Sequence, residues 1–526
     1  MIFVNNLKLD IDEPIDNLKQ KIKDKLKIKY DDFDYKIYRR SIDSRRKNNI
    51  KFVYSVIVDI KLSQKRLSKY NPGDVRDYKK EEFSINVKRK KSTRPIVVGF
   101  GPCGIFTALT LSRNGFNPIV IERGESVDDR TISVEEFWSG GKLKENSNVQ
   151  FGEGGAGAFS DGKLTCRSQD PLIREVLNVF VKHGAPKDIL ILQKPHIGTD
   201  ILKEVIKSIR QEIISLGGEV LFNTTMKDIV ISKGKVKKLI TDKEEFETDT
   251  VFLALGHSSR DSFKMLYDKN ISMESKSFAV GFRIEHPQIL INKAQYGTNF
   301  DNPVLPQAEY QLTYRSKNNR GVYTFCMCPG GRVISACSEK NRLCVNGMSY
   351  HARNLENANS AIIANVGEKD FGKGVLSGMK FQEDIEEKAF KIAGENYYAP
   401  VQLIEDYIKN RKSEKFKNVL PSYKPQTVFS DLNEIYPKDI NEALKEAIVN
   451  LDRKLHGFSL ADGILTGVET RTSSPVRILR DKATFQSLNT KGLYPVGEGA
   501  GYAGGIMSSA VDGIKAATVY LEDLSE

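Results

Sequence analysis

Ile96-Val97-Val98-Gly99-Phe100-Gly101-Pro102-Cys103-Gly104 reads as an apolar strand that runs into a glycine turn. Gly99 permits the tight turn, and Gly101 lets the backbone approach a pyrophosphate. Gly104 lets a helix over 105–113 pack on the strand with its N-terminus toward the phosphates. Pro102 and Cys103 lie inside that turn. A second strand, over 118–121, ends in Glu122 and Arg123. Glu122 stands 18 residues beyond Gly104. A carboxylate there accepts hydrogen bonds from an adenosine ribose and repels a 2′-phosphate. The residue types therefore point to a dinucleotide other than NADP.

FAD and NAD share this half-site, and the choice comes from the other end of the chain. The stretch 492–506 is a strand, an acidic residue in a glycine-rich turn (Gly497, Glu498, Gly504, Gly505, Ile506) and the start of a helix at about Met507. It resembles the second FAD fingerprint of glutathione-reductase-like flavoproteins, in which strand–Gly–Asp meets the ribityl chain. Glu498 stands where that fingerprint has aspartate. A helix N-terminus near the flavin pyrimidine stabilises the anionic reduced ring by ~1–2 kcal/mol, which raises a two-electron potential by roughly 20–45 mV. The two turns lie about 390 residues apart. That spacing suits a resident FAD whose nucleotide fold is interrupted by a substrate domain.

Other residues carry candidate chemistry with a plainer alternative beside each. Gly152, Gly154, Gly155 and Gly157 leave backbone amides free in a loop that lacks the Lys-Ser/Thr of a P-loop. Gly256-His257 closes the apolar run 250–256, and His257 either meets the cofactor or caps the following turn. Arg283, Glu285 and His286 leave one strand together, either as an anion site with a proton donor or as an ion pair. His351 and Arg353 present the same choice. Cys326 and Cys328 straddle Met327, so in extended structure both project to one face, as redox groups or as small hydrophobes. A CxC without a second ligand pair is not a metal site. No CxxxxC follows the first glycine turn, which argues against disulfide-reductase chemistry.

The elements that position these residues divide the chain into four stretches. Residues 1–93 read as a basic α/β module, with a strand over 2–9 and a helix near Pro14 bearing Ile15, Leu18, Ile22 and Leu26 on one stripe. A strand over 35–40 leads into the basic loop RRSIDSRRKN, a strand follows over 52–60, and Lys88-Arg89-Lys90-Lys91 forms a linker. Residues 94–270 form the first part of the FAD-binding domain, 271–465 an inserted substrate domain with a helix near 382–412, and 466–526 the C-terminal part of the FAD-binding domain. In the first part, a helix capped by Thr199 precedes three strand-like pieces and the buried strand of the 250–256 run. The fold class is α/β: a Rossmann-like FAD-binding domain interrupted by an inserted α+β domain, plus the small N-terminal α/β module.

Charge is unevenly spread. Residues 1–94 hold 26 Lys/Arg against 14 Asp/Glu, whereas the remainder holds 54 of each, so the whole net charge of +12 sits on the N-terminal module. Such a surface suits an anionic partner (RNA, a membrane surface or a phosphorylated substrate) or simply a solvated lysine-rich face. No apolar run reaches the ~20 residues of a membrane span. The six cysteines and the absence of an evident signal peptide suit a cytoplasmic protein.

The chain resembles the uncharacterised bacterial FAD-dependent dehydrogenase family, the NAD(FAD)-utilising dehydrogenases, and is more distantly similar to geranylgeranyl-reductase-type flavoproteins. The likeness spans nearly the full length and is most specific in VQFGEGGAGAFSDGKL, KPHIGTD, ALGHSSRD, SFAVGFRIEHP, GVYTFCMCPGG, NGMSYHARN and ETRTSSPVR. It implies FAD and an N-terminal α/β module, and it places Gly155, Ser160 and Asp161 beside the flavin. The function expected from these readings is hydride exchange between flavin N5 and a small substrate, with NADH or NADPH as a transient electron donor. Two other readings stand beside it: an RNA-associated flavoprotein that docks nucleic acid through Arg39, Arg40, Arg45, Arg46 and Lys47, and a non-catalytic flavin-dependent binding protein.

Overall fold

The computed structural model describes residues 1–79, 83–87, 93–166 and 170–523. The expected linker over 88–91 lies outside these.

The first module is a four-stranded antiparallel sheet in the order Tyr35–Asp43, Lys51–Val58, Ile2–Asp10, Val75–Asp77. Helix Asn17–Leu26 packs on it through Leu18, Ile22 and Leu26, the residues that its 3.6-residue period brings to one side. Ile15, assigned to the same stripe, is exposed and precedes the helix. The basic loop begins later than expected, because strand Tyr35–Asp43 carries the pairing through Arg39 and Arg40.

The nucleotide fold is a five-stranded parallel sheet in the order Leu493–Pro495, Val251–Leu253, Ile96–Val98, Ile119–Ile121, Glu219–Leu221. Its first strand comes from the far end of the chain. Helix Ile506–Glu522 lies against helix Pro102–Arg113 so closely that a Cβ on Gly513 would come 2.4 Å from the Cys103 carbonyl oxygen.

The intervening chain builds a seven-stranded sheet in the order Thr313–Arg315, Gly321–Cys328, Asn357–Val366, Phe278–Pro287, Ile464–Glu469, Ala399–Leu403, Thr427–Phe429. Ile464–Glu469, which straddles the boundary drawn at 465, is a strand of this sheet. The helix expected near 382–412 is shorter and earlier. It spans Ser377–Ile392 and is followed by strand Ala399–Leu403, because Gly394 at φ 86° ends the helical turn. Among the described residues no helix is long and apolar enough to cross a membrane.

Candidate functional site

The glycine turn after Ile96–Val98 is held by its neighbours. Gly99 has φ 99°, and a Cβ there would sit 2.3 Å from the Ala254 carbonyl oxygen; one on Gly104 would sit 1.9 Å from that of Gly99. Both positions therefore require glycine. Gly101 faces Gly155 across the turn, with only Gly155 backbone atoms within 4 Å of an added Cβ.

Glu122, buried at the end of its strand, knits these segments together. Its carboxylate accepts from Phe100 N–H at 2.8 Å and from Gly124 and Gly152 N–H at 2.9 Å each. Three of its ~four lone-pair sites are thus engaged by backbone. Glu122 lines the cavity described below, with little acceptor capacity left for a ribose. Arg123 donates to Asp261 at 2.9 Å and lies 4.4 Å from the Phe151 ring centroid.

The loop carrying Gly152, Gly154 and Gly155 is clamped by a residue that sequence reasoning missed. Arg130 is fully buried and donates to the carbonyls of Asn148, Val149, Gly152, Glu153 and Gly155 at 2.7–3.2 Å. Burial pushes its pKa down to about 10. A lone arginine inside a capped helix, Val127–Trp138, carries no sequence signal that separates it from a surface cation.

At the far end, Gly497 meets the first turn directly, since a Cβ on it would lie 2.8 Å from that of Cys103. Asp512 holds this second turn. It accepts from Gly497 N–H at 2.7 Å and from both terminal nitrogens of Arg480 at 2.9 and 2.6 Å.

The two turns open onto one cavity of about 1900 Å³, larger than the ~300–1000 Å³ of a drug-sized ligand pocket. Gly99, Gly101, Pro102, Cys103, Glu122, Arg123, Gly155, Ser160, Asp161, Gly256, Glu498, Gly504, Gly505 and Ile506 all line it. Gly104 and Gly497 stand behind the lining, where they set the packing of the two turns. At Gly256, Gly504 and Gly505 an added Cβ would meet no atom within 4 Å, so bare backbone faces the open space. A helix N-terminus, a glycine cradle and room for a large ligand fit a dinucleotide cofactor.

Of the candidate catalytic residues, His257, Cys326 and Cys328 line the cavity. Burial, with Arg471 and Arg260 nearby, pushes His257 down to about 3, so its imidazole is neutral; its Nδ1 lies 2.9 Å from the Ser258 hydroxyl. The two cysteines do not share one face as expected. A bulge between Phe325 and Cys328, with Cys326 at φ 44°, breaks the alternation, leaving Cys326 exposed and Cys328 buried.

Arg283 is one layer back from the cavity, donating to Asn359 at 2.6 Å, Glu469 at 3.2 Å and the Cys326 carbonyl at 2.9 Å. It is neither a surface ion pair nor a lining residue. His286 is not brought to the cavity: it is fully buried with Nε2 on the Phe458 carbonyl at 2.8 Å. Glu285, its neighbour, accepts from Ser422 and Asn357. His351 is also outside the lining and stacks on His196 at 5.2 Å. Arg353 reaches the site only by gripping Asp161, which Lys163 also pairs at 2.6 Å.

Glu498 has an unusual environment for a carboxylate. It lines the cavity, and burial pushes its pKa up to about 7 against the opposing effect of Lys276. The folded state thus prefers the protonated acid, so the contribution of Glu498 is fully present below the unfolded value of ~4.3 and is lost as pH rises through about 7. Thermal unfolding of the flavin-free protein between pH 4 and 8 is expected to show this loss, and Glu498→Gln is expected to flatten it. An unchanged pH profile in the variant would show that Glu498 is not buried as an acid.

Residues 277–472 match the family model described as FAD-dependent protein, C-terminal domain-like, and residues 1–59 match a domain of unknown function, DUF8436. An uncharacterized protein of Clostridium beijerinckii is 51% identical over 526 residues, covering 99% of this chain and 98% of that one. The chain belongs to the family of that protein. The cofactor of this chain is FAD. Among solved structures, glycine oxidase from Geobacillus kaustophilus is similar at a TM-score of 0.36 and 10% identity, over 82% of this chain and 96% of that one. CtdE in complex with FAD is similar at 0.32 and 13%, over 81% and 84%. At such TM-scores neither likeness bears on the activity of this family member.

Proposed function

We propose that this protein is an FAD-dependent oxidoreductase that exchanges a hydride between flavin N5 and a small substrate, and that it belongs with the NAD(FAD)-utilising dehydrogenases. One observation carries the reading: the cavity that receives both glycine turns is walled on another side by the large inserted sheet, through Cys326, Cys328 and Glu469, and by Arg471 and Thr472 just beyond its strand Ile464–Glu469. A cofactor in the cradle and a substrate against that wall share one chamber. Bound FAD supplies the two-electron chemistry.

The chain itself binds, orients and excludes water. The N-terminus of helix Pro102–Arg113 and the amides of the Arg130-clamped loop hold the pyrophosphate. The N-terminus of helix Ile506–Glu522 offers partial positive charge toward the flavin ring. Glu498 holds a proton near neutral pH, and His257 serves as a neutral hydrogen-bonding group.

Anaerobic reduction of the purified holoprotein by NADH and by NADPH, followed by reoxidation with pools of small metabolites, tests the proposal. Bleaching of the flavin by a nicotinamide or another physiological donor, reversed by a metabolite, is the expected result. A bound flavin that no donor reduces at a useful rate would overturn it in favour of a binding role.

A further inference from the structure

The cavity does not end at the nucleotide fold. Phe3, Tyr38, Arg39, Arg76, Tyr78 and Lys79 of the N-terminal module also line it. The module is stitched in place by backbone hydrogen bonds, Arg40 N–H to the Ile191 carbonyl at 2.6 Å and Gln193 N–H to the Arg40 carbonyl at 2.8 Å. A bulge at Tyr38, where pairing jumps from Ile37–Val56 to Arg39–Ser55, brings two successive side chains to the cavity. A regular strand would send them to opposite faces.

Two of the cations here, Arg76 and Arg174, are held by rings rather than by acids. The Arg76 guanidinium lies 4.0 Å from the Phe3 centroid, and that of Arg174, another lining residue, lies 5.4 Å from the Tyr38 centroid. Phe3 and Tyr38 meet edge-on at 5.4 Å, and Tyr38 and Tyr78 at 6.0 Å. Stacking fixes a guanidinium plane while leaving most of its in-plane N–H groups free. Arg76 gives one to the Pro72 carbonyl at 3.4 Å, and Arg174 one to that of Leu190 at 2.6 Å.

Among the described residues, Arg39, Arg76, Lys79 and Arg174 have no carboxylate partner, and all four are exposed. Elsewhere in the same wall, Lys194 pairs with Glu309 and Lys163 with Asp161, each at 2.6 Å. Asp77 adds one negative charge, and its carboxylate already accepts from Gln64 at 3.2 Å. This exposed part of the cavity wall is therefore left with uncompensated positive charge, preorganised at Arg76 and Arg174.

We propose that the N-terminal module forms an anion-recognising vestibule and that the ligand entering the cavity carries a phosphate or pyrophosphate group. Forked arginine donors match phosphate oxygens in pairs. The cations surround an entrance continuous with the flavin cradle, which favours a small molecule that reaches inward over a polymer lying across the surface. The inference rests on the flavoenzyme reading in taking the cavity as the reaction chamber.

Calorimetric titration of the FAD-loaded protein with inorganic pyrophosphate at low salt tests it, because the flavin already fills the pyrophosphate cradle. One site is expected, weakened by rising salt and weakened at least ~10-fold, or 1.4 kcal/mol, in Arg39→Glu/Arg174→Glu and in Lys79→Glu, with flavin content unchanged. No binding by the wild-type protein, or equal binding by both charge-reversed variants, overturns the proposal. So does tight binding of a single-stranded RNA oligomer that pyrophosphate does not displace. The titration needs no turnover, so failure of flavin reduction counts against the oxidoreductase reading alone.

Discussion

Gly101→Leu is expected to purify folded and colourless, with flavin affinity reduced at least ~100-fold, or roughly 2.7 kcal/mol. Gly101 has φ −81°, so a side chain there causes no backbone strain. Its Cβ would also fit, with Gly155 Cα at 3.6 Å as its nearest neighbour. The remaining leucine atoms enter the gap between the two glycine segments, where the proposed cradle would seat the pyrophosphate. The fold should therefore survive while the cradle is filled. Flavin titration of the apoprotein, alongside thermal unfolding, measures both. Gly104→Ala makes the contrast, because its Cβ would fall 1.9 Å from the Gly99 carbonyl oxygen; that variant should lose stability before it loses flavin. Full flavin occupancy in Gly101→Leu would remove this turn from the cofactor site.

Glu386→Ala is expected to destabilise the protein by roughly 3–5 kcal/mol, the cost of leaving buried charge without its partner. Glu386 is fully buried between two arginines. Arg260 donates to both its oxygens at 2.9 Å, Arg471 does so at 2.9 and 2.8 Å, and the Thr470 hydroxyl adds a bond at 2.6 Å. Removing the carboxylate strands two guanidinium groups that retain only Glu339 as a shared acid. Burial would raise the pKa of Glu386, yet the two arginines overcome this and hold it well below the carboxylate range. A depressed native pKa contributes stability above the unfolded value of ~4.3 and loses it as pH falls toward the native one. The gap between wild type and variant in urea unfolding should therefore narrow in acid. Lys380→Ala, which removes an exposed i,i+4 pair with Asp384, should cost no more than ~1 kcal/mol. Equal losses in the two variants would show that the buried network is not a source of stability.

Much of the nucleotide fold was legible before any tertiary structure. Strand, turn and helix at 96–113 are local: three glycines at fixed spacing, an apolar run before them and an apolar helix after them leave few other conformations. The same holds for 492–506, and the chemistry of the two turns together named FAD. The helix misplaced near 382–412 failed for a local reason as well. Its period continues past Ile392, but Gly394 in the left-handed region stops it and a buried strand takes over.

The catalytic candidates were legible as residue types and illegible as places. Histidine or arginine at the end of a strand looks the same whether it faces a cavity or a neighbouring carbonyl. His286 found the Phe458 carbonyl, 172 positions away, and Arg283 found Glu469, 186 positions away. Arg130 and Glu386 carried no motif of their own, and Arg471 stood in the stretch ETRTSSPVR without a role, because their partners are supplied by other elements.

From its order of residues alone, the chain set the glycine turns, the amphipathic faces and the segregation of its positive charge into the first module. Only the folded arrangement decided that turns about 390 residues apart share one cavity and that the charged module contributes to its lining. Backbone conformation is governed by neighbours a few bonds away, whereas the environment of a side chain depends on sheet order, strand register and bulges such as that at Tyr38, which distant segments impose on one another.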